Sequence, residues 1–264
     1  MKIVVCAKQV PDTTEVKLDP KTNTLIRDGV PSIINPDDKA GIEAALQLKE
    51  KVGGTVTVIS MGPTQADAAL REALAMGCDE AILVTDRAFG GADTWATSST
   101  IAAALKKIDY DIIITGRQAI DGDTAQVGPQ IAEHLGIPQV SYAEEIVDAA
   151  EGKVVVKRQF EDRYHVIEVK TPCLITALAE LATPRYMTVH GIFDAYREKE
   201  VKVWTLEELK DTVDMANIGL KGSPTNVKQS FTKQAKGKGL YYKDLSAEEA
   251  VETIVAKLEE RHII

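Results

Sequence analysis

Residues 110–136 read YDIIITGRQAIDGDTAQVGPQIAEHLG, and this stretch decides the fold that we predict. An apolar run typical of a strand ends in a loop rich in Gly, Asp, Thr and Gln, and a segment with helical periodicity follows. Asp123 or Thr124 could simply cap that helix, and Gly116 could simply turn the chain. The alternative is a ligand cradle, because glycine lets backbone N–H groups approach a phosphate and a helix N-terminus favours its charge. The stretch alone leaves both interpretations open.

Strands and helices alternate on the N-terminal side of this stretch. The strand-like runs KIVVCA, GTVTVISM and EAILVTD precede it, and segments with helical periodicity separate them. This order predicts an α/β fold: a doubly wound, mostly parallel sheet with helices on both faces. Residues 144–178 consist instead of short extended runs, broken by Gly152, Asp162 and Pro172, and predict antiparallel strands added to the sheet.

The rest of the chain has less regular patterning. Residues 16–29, VKLDPKTNTLIRDG, predict a small surface hairpin that turns at Pro20 to Asn23. From residue 201 onward only WTLEEL and SAEEAVETIVAKLEER have helical character. We therefore expect a main domain over residues 1–200 and a C-terminal tail over residues 201–264, which lacks the apolar residues for a core of its own.

Composition and charge exclude several classes of function. The 264 residues carry a formal net charge of −9, which disfavours nucleic acid as a partner. No apolar run is long enough to span a bilayer, and the N-terminal MKIVVCAKQV is typical of a first strand and not of a secretion signal. Cys6, Cys78 and Cys173 are odd in number and far apart, so we expect small buried side chains in a reducing cytoplasm.

Three loops are expected to meet at one end of the sheet. In a doubly wound sheet the first strand lies beside the fourth, so Cys6 and Ala7, the helix start at Asn35 and the loop at 116–128 converge on one crevice. Asn35 followed by proline is also a typical helix start, so capping explains it equally well. Met61, which ends the second strand, forms either another wall of the crevice or part of a plain turn.

The start of the third helix offers several hydroxyl groups. Residues 90–100 read GGADTWATSST, with Asp93 or Thr94 as candidate caps and Thr97 on the first turn. Hydroxyls concentrated at a helix start suit hydrogen bonds to phosphate or sugar oxygens, although one of them would suffice for a cap. Both interpretations stay open.

Signatures of nucleophilic, hydrolytic or metal chemistry are missing. The sequence has no GxGxxG after the first strand, no GxxxxGK[ST], no GxSxG and no HExxH. The four histidines occur singly and without metal-ligand spacing, so we predict neither a metal site nor a catalytic side chain. A nucleotide pocket without a catalytic group is expected where the bound molecule itself does the chemistry.

Five segments of the chain carry a family resemblance. They read VCAKQVPDT, INPDDKAGIEAAL, REALAMGCDEAILV, ITGRQAIDGDTAQVGPQIAEHLGIPQV and TPRYMTVHGIF. Through them the chain resembles the β subunit of electron transfer flavoproteins over nearly its whole length. The resemblance implies a Rossmann-like domain, a heterodimer with a flavin-bearing α subunit, and an adenine nucleotide in the crevice. The expected cofactor contacts are Cys6, Ala7, Asn35, Asp38, Met61, Asp93, Thr94, Thr97, Gly116, Arg117, Gln118, Asp121, Gly122, Asp123, Thr124, Ala125, Gln126, Val127 and Gly128.

The resemblance leaves two occupants for the crevice. One type of family member holds AMP as a structural ligand, and the other holds a second FAD that takes hydride from NADH. KQVPDT and ADTWATSS resemble the second type, which implies hydride transfer to flavin N5, then one electron to the FAD of the α subunit and one to ferredoxin or flavodoxin. Thr94 is then expected to hydrogen-bond the flavin ring. A stand-alone ATP-binding stress protein is a third possibility, disfavoured by the hairpin region and the long tail.

One segment is expected to dock a partner. Residues 183–200 resemble the family's recognition loop, which binds a partner such as an acyl-CoA dehydrogenase. Its expected apolar anchors are Val189, Ile192 and Phe193, unless these side chains pack against the chain's own body. The tail is expected to pack on the α subunit, and oxidoreductase activity is expected only in complex with that subunit and the dehydrogenase. Arg163 departs from the family's hairpin signature, which has glycine or an acidic residue there.

Overall fold

The structure is a computed structural model that describes residues 1–12, 17–18, 25–26, 31–225, 228 and 237–264. Its strands are β1 (Lys2–Cys6), β2 (Gln9–Pro11), β3 (Lys17–Leu18), β4 (Leu25–Ile26), β5 (Ser32–Ile34), β6 (Thr55–Met61), β7 (Glu80–Val84), β8 (Ile112–Gly116), β9 (Gln139–Ala150), β10 (Lys153–Gln159), β11 (Tyr164–Lys170), β12 (Cys173–Ala177) and β13 (Val201–Trp204). Its α-helices are α1 (Pro36–Val52), α2 (Asp67–Met76), α3 (Thr94–Leu105), α4 (Val127–Leu135), α5 (Val189–Arg197), α6 (Leu206–Leu209) and α7 (Ala247–Glu260).

The main sheet has nine strands in the order β11-β10-β9-β12-β8-β1-β6-β7-β13. β10 runs antiparallel to β9 and to β11, and every other neighbouring pair is parallel. The predicted α/β fold with a mostly parallel sheet is confirmed. β1 lies beside β8, the fourth strand of the predicted alternation, as expected.

Alternate residues of the central strands face two separate cores. Val5 and Ile114 lie in the core covered by α1 and α2, whereas Val4 and Ile113 lie in the core covered by α3 and α4. Successive side chains of a strand point to opposite faces, so both faces of these strands are buried. This is why the strands are continuous apolar runs in the sequence, and it confirms helices on both faces.

β12 corrects one expectation. The run CLITAL was predicted among the antiparallel additions, but β12 lies between β8 and β9 and is parallel to both. All five of its residues are buried, as in a central parallel strand. β10 and β11 do form the predicted antiparallel hairpin. Its turn is closed by Phe160 N–H donating to the Arg163 carbonyl at 2.8 Å, so the departure at Arg163 leaves the hairpin intact.

The end of the main unit differs from the expected boundary. The first compact unit runs Met1–Val227 and the second Lys228–Ile264. β13, in the segment predicted as tail, pairs with β7 at the edge of the main sheet. In the second unit α7 begins with a complete capping box of Ser246 and Glu249.

The early hairpin lies partly within the described residues. β3 pairs antiparallel with β4, as expected of a hairpin, whereas its turn from Pro20 to Asn23 lies outside the described residues. Of the helices in the described ranges, none has both the length and the apolar character to cross a bilayer.

Candidate functional site

The crevice lies where β1 and β8 end side by side. Cys6 pairs with Thr115 on one side and with Ile59 on the other, so these strand ends lie at one edge of the sheet. β1 has β6, the next strand of the main sheet along the chain, as its neighbour on one side, and β8 as its neighbour on the other. This is the switch point at which doubly wound sheets bind ligands.

A buried carboxylate ties the two strand ends together. Asp38, in the first turn of α1, accepts hydrogen bonds from Lys8 N–H and Gly116 N–H, each at 2.8 Å. Burial is the largest influence on this group and raises its pKa from 3.8 to about 7. A Cβ at Gly116 would lie 2.2 Å from Asp38 Oδ1, so only glycine fits here. Asp38, expected as a cofactor contact, has its carboxylate engaged with the backbone.

Asn35 holds the loop and does not cap the helix. It occupies the N-cap position of α1, but its side chain makes no capping hydrogen bond. Its Nδ2 donates to the Gln118 carbonyl at 2.8 Å, and its Oδ1 accepts from Ile120 N–H at 3.0 Å. The side chain is fully buried. The capping explanation of Asn35 is therefore wrong, and the amide fixes the 116–128 loop from inside.

The loop itself has an unusual backbone. Asp123 and Ala125 have φ values of 56° and 53°, in the left-handed region that non-glycine residues seldom adopt. The Asp123 carboxylate accepts a hydrogen bond from the Gln118 side chain. Backbone strain of this kind persists where surrounding contacts impose it and is found at ligand-binding loops. Gly122, Thr124 and Gln126 are exposed along the loop.

Two cations lie beside the loop. Lys8 Nζ, which the sequence reasoning missed, contacts Asp121 Oδ1 at 2.6 Å while its own side chain stays 43% exposed. Arg117 Nε lies 3.4 Å from Asp37 Oδ2, and both of these buried atoms lack a hydrogen-bond partner. Burial raises the pKa of Asp37, against the pull of Arg117. The position of Lys8, two residues after the end of the first strand, was the feature of the sequence that could have identified it.

The start of α4 has no side-chain cap. Its N-cap is Gln126, which makes no side-chain capping bond, so the expected caps Asp123 and Thr124 are wrong. The N–H groups of a first helical turn have no partner within the helix. A Cβ at Gly128 would lie 2.5 Å from Thr115 Oγ1, so this helix start packs directly on the end of β8.

The start of α3 reaches the same loop. Thr94 Oγ1 donates to Gln126 Oε1 at 2.9 Å. Asp93 is the N-cap, as expected, and accepts from Ala96 N–H at 3.0 Å and from Thr225 N–H at 2.9 Å. Burial works against ionisation of Asp93, but these donors outweigh it and hold its pKa below the usual value. Both carboxylate oxygens of Asp93 are thus engaged within the chain, and Thr97 lies half-buried one turn further on.

Residues 214–225 cover this helix start and were not foreseen as part of the site. Trp95 Nε1 donates to Asn217 Oδ1 at 3.0 Å, and Ser223 Oγ accepts from Asp93 N–H at 2.9 Å. An open groove of about 460 Å³ lies between Trp95 and residues 221–224. This segment lies more than a hundred residues after the start of α3 in the chain. Tertiary contacts bring the two together, so the local sequence pattern gave no sign of it.

The remaining strand-end residues line the inner wall. Cys6 and Ala7 are buried, and Ala7 N–H donates to the Ile59 carbonyl at 2.9 Å. Met61 lines a small cavity of about 70 Å³ beneath β2, into which Ser60 also faces. Ser60 Oγ is buried without a hydrogen-bond partner.

All three cysteines are free and buried, as expected. Burial raises the pKa of the Cys6 thiol, and raises the pKa of Cys78 and of Cys173 to about 12. Each thiol is therefore protonated at neutral pH, which leaves no nucleophilic thiolate here. Within the described ranges no group of three or more His, Cys, Asp or Glu side chains is placed to hold a metal ion.

The expected docking segment contains a helix. α5 begins at Val189, and its N-cap Thr188 accepts from Gly191 N–H at 2.9 Å. Val189 is 87% exposed, whereas Ile192 and Phe193 are 40% and 50% exposed and are therefore partly covered by their own unit. Tyr186, just before the helix, is 96% exposed.

A family comparison matches most of the chain. The family described as electron transfer flavoprotein domain matches residues 22–209. That range contains the α1 start, the 116–128 loop, the α3 start and α5.

Curated relatives match the chain from end to end. An electron transfer flavoprotein subunit beta of Clostridium acetobutylicum is 62% identical over 264 residues, with all of both chains covered. A caffeyl-CoA reductase–Etf complex subunit, CarD, of Acetobacterium woodii is 55% identical over 266 aligned residues, again with full coverage of both. An acryloyl-CoA reductase electron transfer subunit gamma of Anaerotignum propionicum is 50% identical over 271 aligned residues, also with full coverage.

Proposed function

The chain belongs to the electron transfer flavoprotein family, among its β subunits, and from that premise we propose that its crevice binds FAD. In this proposal the chain pairs with a flavin-bearing α subunit, and the heterodimer takes electrons from NADH. It passes them to an acyl-CoA dehydrogenase and to ferredoxin or flavodoxin in the cytoplasm. The observation that carries the proposal is the cradle at the ends of β1 and β8.

The residues of the cradle fit an adenine dinucleotide. Gly116 and Gly128 bring backbone close to neighbouring groups where a Cβ would clash. The start of α4 has no side-chain cap, and an uncapped helix N-terminus favours phosphate. The guanidinium of Arg117 has a buried nitrogen without a hydrogen-bond partner, which a ligand oxygen would satisfy.

The chain's own residues bind and orient. Lys8 beside the loop and Arg117 within it are cations that each lie next to a carboxylate of the chain, Asp121 and Asp37. Asn35 and Asp38 hold the loop backbone from inside. A flavin, when bound, supplies acceptance of a hydride and release of single electrons. We assign no proton-transferring side chain.

Support for FAD over AMP comes from the start of α3. Thr94 is joined to the loop through Gln126, so a ligand extending from the phosphate cradle would meet this hydroxyl. The relatives named as subunits of CoA-reductase complexes are consistent with an acyl-CoA dehydrogenase as partner. Docking by Val189, Ile192 and Phe193 draws support from their exposure.

The alternative is a β subunit that holds structural AMP and serves as a docking scaffold. One observation favours it: both oxygens of Asp93 are engaged by Ala96 and Thr225, so this carboxylate is not free for a flavin half. The glycine cradle by itself would suffice for a mononucleotide.

The test is to release the nucleotides from the heterodimer by denaturation and to quantify FAD and AMP. Two FAD and no AMP per heterodimer support the proposal, and NADH-driven ferredoxin reduction is the next assay. One FAD and one AMP overturn it in favour of the alternative.

A hydroxyl deletion sharpens this test. Thr94→Val keeps the shape of the side chain but removes the hydroxyl, so it should lower FAD occupancy or shift the absorption spectrum of the bound flavin. Ser99→Ala removes a hydroxyl from the same helix and serves as the control. Equal FAD content and identical spectra in wild type and Thr94→Val would remove Thr94 from the flavin site.

A further inference from the structure

We infer that Arg185 is a positioning residue that clamps the start of the docking segment, residues 183–200, onto α1 and thereby sets affinity for the partner. This inference rests on the docking role proposed above for Val189, Ile192 and Phe193. Arg185 itself touches no reacting group. Its effect is exerted through the backbone that presents the exposed side chains.

The clamp uses all three guanidinium nitrogens of Arg185 and its backbone N–H. Arg185 Nε and Nη2 donate to the two carboxylate oxygens of Glu43 at 2.8 and 3.0 Å, a bidentate pair. Its Nη1 donates to Glu50 Oε1 at 2.6 Å, and its backbone N–H donates to Glu43 Oε2 at 3.1 Å. Both side chain and backbone of Arg185 are therefore fixed on two turns of α1.

The Glu43 carboxylate that Arg185 binds is buried. Glu43 is 4% exposed, although it lies on a helix of the surface layer. Burial disfavours the charge on Glu43, but the hydrogen bonds from Arg185 outweigh it and hold the pKa of Glu43 below its usual value. A planar guanidinium is the group that satisfies two carboxylates and fixes direction at once, which a lysine ammonium does not do.

The far end of the segment is held separately, by α2. A Cβ at Gly191 would lie 2.4 Å from the Ala75 carbonyl oxygen, so α5 packs directly on α2. Arg71 Nη1 donates to the Ala195 carbonyl at 2.6 Å, and Lys199 Nζ donates to the Cys78 carbonyl at 2.7 Å. Loss of the Arg185 clamp should therefore free Tyr186 and the residues next to it without releasing α5.

The side chains between the two anchors are the exposed ones. Tyr186, Val189 and Phe193 are 96%, 87% and 50% exposed. A flexible segment carrying such side chains loses conformational entropy when it docks, whereas a clamped segment has lost it beforehand. The clamp thus converts exposed apolar side chains into a pre-organised docking surface.

A pair of substitutions separates positioning from folding. Arg185→Gln alone leaves a buried Glu43 carboxylate without its guanidinium partner, which destabilises the fold for reasons unrelated to docking. Arg185→Gln combined with Glu43→Gln removes both charges of the pair, so no unpaired charge is left buried. Arg185→Lys is the conservative variant, and Lys210→Gln, an exposed ion-pair residue after α6, is the control.

The measurement uses the heterodimer with its α subunit and an acyl-CoA dehydrogenase as acceptor. The Arg185→Gln/Glu43→Gln variant should raise KM for the dehydrogenase about tenfold, with kcat nearly unchanged and FAD content equal to wild type. The KM of Arg185→Lys should lie between those of wild type and the double variant, and the KM of Lys210→Gln should equal that of wild type. Hydrogen exchange should be faster at Tyr186 to Val189 and unchanged in α2.

Val189→Ala separates failure of this inference from failure of the docking role. If Val189→Ala raises KM and the clamp variants do not, only the inference about Arg185 is overturned. If Val189→Ala leaves KM unchanged, the docking role falls, and the inference falls with it. Unchanged hydrogen exchange at Tyr186 in the double variant also overturns the clamp.

Discussion

Gly116 and Asp38 show how single residues shape the crevice. The glycine backbone N–H reaches the buried carboxylate because no side chain stands between them. Sequence reasoning selected both residues as cofactor contacts, but it had no means to see that they bond each other across 78 positions. Which partner a polar side chain takes depends on tertiary neighbours, and a local pattern does not contain them.

Gly116→Ala should destabilise the chain by about 1–3 kcal/mol, as overpacking of a tight interior does. The added Cβ would meet Asp38 Oδ1 at 2.2 Å and Asp37 Cβ at 2.9 Å. Gly122→Ala is the matched control in the same loop, because a Cβ there meets nothing within 4 Å. Urea unfolding of both variants measures the difference, and equal stabilities would contradict the role given to Gly116.

Asp38→Asn tests how the contribution of Asp38 to stability depends on pH. The raised pKa of Asp38, about 7 against 3.8, means that the folded state keeps a proton that the unfolded chain releases in this window. The contribution of Asp38 to the free energy of unfolding therefore falls as pH rises from about 4 to about 7. The variant does not titrate at this position.

The stability of wild type relative to Asp38→Asn should thus be greater at about pH 5 than at about pH 7.5. Denaturant unfolding at both pH values gives this difference, and other carboxyl groups cancel because the two chains share them. A difference that stays constant or grows with pH would show that burial does not raise the pKa of Asp38.

At the scale of elements, the sequence predicts the alternation of strands and helices. It does not predict the order in which β9 to β12 join the sheet. β1, β6, β7 and β8 follow from runs of β-branched residues separated by helical segments. β12 enters the sheet between β8 and β9 after an intervening hairpin, a long-range pairing that no local pattern encodes. All five residues of β12 are buried, whereas most residues of β11 are exposed. The largely apolar run CLITA was the signal in the sequence for a central strand.

Asp93 was one of the two predicted caps of α3, and substitutions can measure its contribution to stability. Asp93→Ala removes the acceptor for Ala96 N–H and for Thr225 N–H, and should destabilise the chain by about 1–2 kcal/mol. Asp93→Asn should cost less, because asparagine keeps the N-cap acceptor for Ala96 N–H and loses only the one for Thr225 N–H. Thermal unfolding followed by circular dichroism compares the variants; similar losses in both would show that charge, and not the cap, is what matters.

At the scale of the whole molecule, the compact unit extends past the boundary suggested by composition. Residues 201–225 read as a tail because they contain few apolar residues, yet they place β13 on the sheet edge and bury Leu209 and Ile218. A few well-placed apolar side chains added to an existing core suffice where an independent core would need many.

Two truncations test this boundary. A chain ending at residue 227 should unfold cooperatively with a Tm within about 3 °C of the full chain, because the first unit has its own cores. A chain ending at residue 200 loses β13 and the cover over α3, and should unfold at a much lower temperature or fail to fold. Equal melting of the two truncated chains would place the boundary where composition suggested it.

One helix connects the two functional regions. α1 carries Asp38 at the crevice and Glu43 and Glu50 at the Arg185 clamp, and from Asp38 to Glu50 it extends about 18 Å at 1.5 Å per residue. In the proposed function this helix therefore sets a fixed distance between the nucleotide crevice and the docking segment. Inserting one residue between Asp38 and Glu43 would turn the later part by about 100° and carry both glutamates away from Arg185. The number of residues between Asp38 and Glu43 therefore matters as much as the identity of the two carboxylates.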